Sequence, residues 1–187
     1  MSKPMNARFV SSVTAPKLEH FEWQEPDGEE DLARFRNIVT QGCTILMIYP
    51  DAAGSGPPYD FIYTVGFYLN LQHPEIFIKG LLSDVTGDMM NDLFRYVESG
   101  RKLKDGDTVR YDFGEGEKKL VARAFPQEKY FDYLGWACWF YRSLLWKVAP
   151  VAEHKFPVLQ LFWPDAHGFY PWDEGCHPAA KQIQTVS

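Results

Sequence analysis

The sequence predicts a single α+β domain: a mixed or mainly antiparallel sheet with helices packed on it. Segments with strand patterning follow one another through both hairpin and crossover connections, which a doubly wound parallel sheet would not do. The chain's 187 residues are enough to bury one core without disulfide or metal staples. Its 45% apolar and 24% charged residues are the balance of an ordinary globular protein.

Residues 1–28 carry Pro4, Pro16 and Pro26 among scattered Ser, Thr and Glu and read as a loosely packed arm. The domain is expected over 29–176, with 177–187 as a C-terminal tail. Glu29, Glu30 and Asp31 place negative charge at a helix N-terminus, Leu32, Phe35, Ile38 and Val39 repeat at helical spacing, and Gly42 stops the helix. The apolar run Cys43 to Tyr49 is too short for a typical helix and reads as an interior strand, with Ile45 and Met47 on one buried face and Leu46 and Ile48 on the other. Asp51 to Tyr59 has the Gly, Ser and Pro density of a loop, and FIYTVGF follows as a second strand.

EIFIKGLL, from Glu75, is a third strand, after which Ser83 or Asp84 caps a helix that runs through Glu98 to Gly100. Val109, Tyr111 and Phe113 alternate with polar residues, and GEGEKK then turns the chain back into LVARAF, a hairpin. Between Tyr130 and Trp146 the rings surround a helical segment instead of forming one stripe, so this segment is either buried or an interface, and Gly135 marks a break within it. The ring density predicts self-association or partner binding through Tyr130 to Trp146, with a homodimer as the simplest closed form. PVLQLFW is the last strand, and a loop-rich tail follows.

A net charge of -6 has the wrong sign for a protein that neutralises phosphates, so neither nucleic acid nor an anionic membrane is the expected partner. Cys43, Cys138 and Cys176 form neither an even disulfide set nor a CxxC pair, and no apolar stretch approaches the length of a membrane span. A cytoplasmic protein is expected. Walker A and GxGxxG motifs are absent, and Ser55 precedes Pro57 and Pro58 where a nucleophile elbow needs a helix. Asp165, His167, Asp173, Glu174, Cys176 and His177 crowd the tail, but their spacing fits no zinc template, so no metal and no cofactor is expected. His73, before Pro74 and Glu75, offers an imidazole and a carboxylate near one place, and also suits a rigid turn whose His caps backbone groups.

YTVGF at 63–67, HPE at 73–75 with GLL soon after, MNDL at 90–93, LQLFWPD at 159–165 and PWDEG at 171–175 occur in an order that resembles the domain-of-unknown-function family 4262 from about residue 40 to 176. The loop Asp51 to Tyr59 and the aromatic segment Trp136 to Trp146 look larger than the family core. The resemblance implies a bacterial protein and no particular reaction. It singles out polar positions that a fold alone hardly requires: Thr64, His73, Glu75, Gln160 and Asp165. The rings of Tyr63, Trp163 and Trp172 are expected to wall a pocket around them. Two functions compete. The first is a non-catalytic domain binding a protein partner or a small ligand, of which an immunity or antitoxin role is one form. The second is a hydrolase or transferase with His73 as general base, oriented by Glu75 or Asp165.

Overall fold

The computed structural model describes residues 26–50, 58–81, 84–114, 116–148 and 156–186, without the side chains of 84 and 143–148. The expected arm up to residue 25, most of the loop after Pro50, the capping role of Ser83 and the ring of Trp146 lie outside the described residues. The fold class is as expected: one α+β fold on a six-stranded sheet of order β1-β2-β3-β6-β5-β4. The strands are β1 (Thr44–Ile48), β2 (Phe61–Val65), β3 (Glu75–Lys79), β4 (Thr108–Asp112), β5 (Glu117–Ala124) and β6 (Val158–Phe162). Every pairing is antiparallel except β3 with β6, where Glu75, Ile76 and Phe77 run parallel to Val158, Leu159 and Gln160.

Strand alternation divides the core between the two faces of the sheet. Phe61, Tyr63, Phe77 and Val158 face α1 (Glu29–Gln41), α4 (Tyr130–Tyr133) and α5 (Gly135–Val148). Ile62, Ile76, Ile78, Leu159 and Leu161 face Met89, Met90, Leu93 and Val97 of α3 (Asp84–Glu98). A five-residue helix, α2 (Phe67–Leu71), connects β2 to β3.

The apolar run at Cys43 to Tyr49 forms β1, but β1 is an edge strand and not an interior one. Leu46 and Ile48 pack on the α5 side and Ile45 on the α3 side, so the expected alternation holds, whereas Met47 is 38% exposed. A continuous apolar run reports cover on both faces, which helices supply here even at the sheet's edge.

The aromatic segment divides into α4 and α5 at Leu134 (φ -118°, ψ 33°). Its rings meet partners in several directions. Phe35 of α1 touches the rings of Trp136, Trp139 and Phe140, Tyr133 meets Phe61 and Phe77 edge-on, and Tyr141 stacks on Phe156 at 4.5 Å. The indole N–H of Trp136 donates to Asp31 Oδ1 at 2.7 Å, tying α5 to the first turn of α1. A helix apolar all round is here a helix enclosed by α1 and the sheet. Of the described rings in this segment, only Phe131 is largely exposed, so most of the ring surface that motivated the expected dimer is spent inside the chain.

The expected C-terminal tail contains a further helix, α6 (Pro178–Gln184). Pro178 occupies its first turn, and His177 Nδ1 accepts the Ala179 N–H at 3.3 Å as an N-cap. The helix folds back onto the end of β3, where Gly80 leaves room for Ile183: a Cβ there would lie 1.7 Å from Ile183 Cγ2.

Candidate functional site

Glu75 is 1% exposed and stands where β2 and β3 part. The ladder between these strands ends at Tyr63 and Phe77. Beyond it the Thr64 hydroxyl accepts the Ile76 N–H at 2.9 Å and donates to Glu75 Oε2 at 2.6 Å. Glu75 Oε1 accepts the N–H groups of Gly66 and Tyr68, each at 2.9 Å, and the Tyr141 hydroxyl. Gly66 precedes α2, and the first amides of a helix have no partner within it. Glu75 thus caps a helix from the next strand and locks it to α5. Burial raises the Glu75 carboxyl to about 7 against these donors, and burial beside Glu75 holds the Tyr141 hydroxyl well above its ordinary value.

His73 turns to other partners. Its Nε2 accepts the Leu103 N–H at 2.9 Å and its Nδ1 lies 2.6 Å from the Pro74 carbonyl. An amide can only donate and a carbonyl only accept, so the ring is neutral with its proton on Nδ1. Burial keeps the imidazole below its ordinary pKa, and the nearby Lys102 acts in the same direction. His73 is fully buried, edge-on to Phe67. Phe67 and Leu103 belong to the α3-side core, Tyr141 to the α5-side core. The two ends of the HPE motif therefore serve opposite faces of the sheet.

Asp165 organises the loop after β6. Its Oδ2 accepts the His177 N–H at 2.8 Å, and its Oδ1 accepts those of His167 and Phe169 at 2.9 and 3.0 Å. These donors, His177 first, hold its carboxyl below the usual range. The loop presents a surface platform. Tyr170 and Trp172 stack with planes 2° apart and centroids at 5.1 Å, and the Arg123 guanidinium lies 5.0 Å from the Trp172 ring. The Tyr170 hydroxyl donates to the Lys119 carbonyl at 2.6 Å. Trp172 is 46% exposed and Phe169 42%.

The expected pocket walls do not meet. Tyr63 and Thr64 are buried on β2, Gln160 is buried on β6, and Trp172 faces solvent. Gln160 and Trp163 join a group that the sequence pattern did not reveal, centred on Lys79. This lysine is 2% exposed. Its Nζ donates to the Thr185 carbonyl at 2.7 Å and the Tyr133 hydroxyl at 3.3 Å, and lies 5.1 and 5.7 Å from the ring centroids of Tyr133 and Tyr59. Gln160 Nε2 donates to the Gln184 carbonyl at 2.7 Å, and the Trp163 indole N–H donates to the Lys79 carbonyl at 3.0 Å. A period-two reading of EIFIK would have found Lys79, since it shares a face with Glu75 and Phe77.

All three cysteines are free and buried. Burial pushes the Cys43 thiol up to about 12 and Cys138 up to about 11, and raises Cys176 as well, so none is poised as a thiolate. Among the described residues, no three His, Cys, Asp or Glu side chains are placed to hold a metal ion, and no helix is long and apolar enough to cross a membrane.

No curated protein and no solved structure matches the chain. A family model does match, described as Domain of unknown function (DUF4262), over residues 37–177, from α1 to the residue before α6. That span contains the capped turn at Glu75, the enclosed His73, the Asp165 loop, and Lys79, Gln160 and Trp163, and by it the chain belongs to the DUF4262 family.

Proposed function

We propose that the chain is a non-catalytic binding domain that engages a protein partner or a small ligand through the aromatic platform at Trp172. The observation that carries this reading is the exposed Tyr170–Trp172 stack beside Arg123. Flat rings flanked by a guanidinium are the groups that most often anchor partners. The contrast with His73, Glu75 and Asp165 supports it, because each of these accepts backbone amides that a reacting group would have to leave exposed. A cytoplasmic setting accords with three unpaired, buried thiols.

Trp172→Ala is expected to change stability by about 1 kcal/mol or less, since the ring is half exposed, and to abolish retention of the partner or ligand. Native mass spectrometry of the protein purified from its own source would read the retained species in wild type and variant. Retention that is unchanged in Trp172→Ala, with circular dichroism showing an intact fold, would assign binding to another surface.

A further inference from the structure

We propose that Lys79, Gln160 and Trp163 form a binding site for a small aromatic carboxylate, and that the end of α6 occupies this site as the chain's own stand-in. A buried ammonium is costly unless an anion or strong acceptors surround it. Among the described residues Lys79 has no carboxylate partner. It has one peptide carbonyl, one hydroxyl and two ring faces.

The groups that face α6 are mostly donors. Lys79 Nζ reaches the Thr185 carbonyl, Gln160 Nε2 reaches the Gln184 carbonyl, and the Trp163 backbone N–H reaches Gln184 Oε1 at 2.9 Å. Only the Trp163 carbonyl accepts, from Gln184 Nε2 at 3.0 Å. Three donors, one of them charged, thus converge on two neighbouring carbonyls and one amide oxygen. A carboxylate offers two oxygens and a negative charge, which none of the described residues places beside Lys79. The donors stand on or directly after β3 and β6, which pair at the centre of the sheet, so they are preorganised. The rings of Tyr59 and Tyr133 beside Lys79 select an aromatic acid over an aliphatic one.

The occupant is suited to exchange. With seven residues, α6 is too short to be stable alone. Pro178, Ala179, Lys181 and Gln182 are exposed, and its seat consists of Ala180, Ile183 and the polar latch of Gln184. It also begins one residue beyond the family match, whereas Lys79, Gln160 and Trp163 lie within that match.

The probe is sodium benzoate, with benzamide as its neutral counterpart, titrated into the full chain while NMR follows the Trp163 indole N–H and the amides of Ile183 to Val186. Benzoate is expected to shift these signals and speed exchange at Gln184 and Thr185, and benzamide is expected to bind at least about tenfold more weakly. Gln184→Ala removes the latch and should tighten benzoate binding about tenfold, because less of the protein is self-occupied. Lys79→Met should abolish binding in both backgrounds. Should that variant fail to fold by circular dichroism, Gln160→Met takes its place, with an expected loss of about tenfold. Equal binding of benzoate and benzamide, silence of Gln184→Ala towards benzoate, or affinity unchanged in Lys79→Met or Gln160→Met would overturn the proposal. None of these results bears on the Trp172 platform, whose test reads a different surface.

Discussion

Glu75→Ala is expected to destabilise the protein by about 3–5 kcal/mol, the usual cost of removing one side of a buried polar cluster. Three donors then lose this acceptor together, the Thr64 and Tyr141 hydroxyls and the Tyr68 amide, while the Gly66 amide keeps only the Tyr141 oxygen at 3.1 Å. Glu75→Gln keeps an acceptor for both amides and should cost about 1–2 kcal/mol. The same carboxyl gives stability a pH dependence of definite sign. Its folded pKa, about 7, lies above the ordinary 4.5, so the folded state holds the proton more tightly than the unfolded chain. This contribution is fully present below pH 4.5 and is lost as pH rises through about 7, amounting to about 3 kcal/mol. Urea unfolding across this range would measure it. The slope should flatten in Glu75→Gln, and a slope that persists there would trace it to another group.

Gly66→Ala should cost about 3–5 kcal/mol, from backbone strain and overpacking combined. Gly66 has φ 122°, outside the range that L side chains adopt readily. A Cβ there would lie 2.5 Å from the Gly42 carbonyl oxygen and 2.8 Å from Cys43 Cα. Both are backbone atoms at the junction of α1 and β1, and moving Gly66 away from them would pull its amide off Glu75. Gly100 separates strain from clash: its φ is 91°, yet a Cβ there would meet nothing within 4 Å. Gly100→Ala should therefore cost only about 1 kcal/mol. Similar losses for the two variants in thermal unfolding would show that the contact at Gly42 yields.

The sequence exposes those parts of the fold that rest on local pattern. Glu29 to Gly42, Asp84 to Gly100 and the hairpin around Asp112 carry their periodicity, charges and turn residues within one segment, and each forms as expected except that β5 begins at Glu117, within the expected turn. The edge position of β1 is not local, because it depends on which strands pair, and an apolar run records only that both faces are covered. α2 escaped notice because its capping carboxylate comes from the next strand, and α6 because its seat is made by residues far upstream. At the candidate site, chemistry was legible but direction was not. His73 and Glu75 are two residues apart with Pro74 between them, and backbone geometry alone sends one to Leu103 and the other to Tyr141. The partners of Lys79 were not legible, because Tyr133 and Thr185 lie far downstream of EIFIK and Thr185 offers only its backbone carbonyl.

The parallel pairing of β3 with β6 also sets the order in which the molecule can be made. β1, β2 and β3 form one antiparallel meander and β4 with β5 a hairpin, each from neighbouring sequence, yet the strand that joins them is made after the other five described strands. Until Val158 to Phe162 leave the ribosome, the backbone edges of β3 and β5 that pair with β6 are both open. Such edges invite pairing with other chains. Closure then requires residue 75 to find residue 158, a distant contact that slows folding. The step that completes the sheet is therefore the one most exposed to aggregation, and chaperone demand during synthesis should be greatest just before β6 emerges.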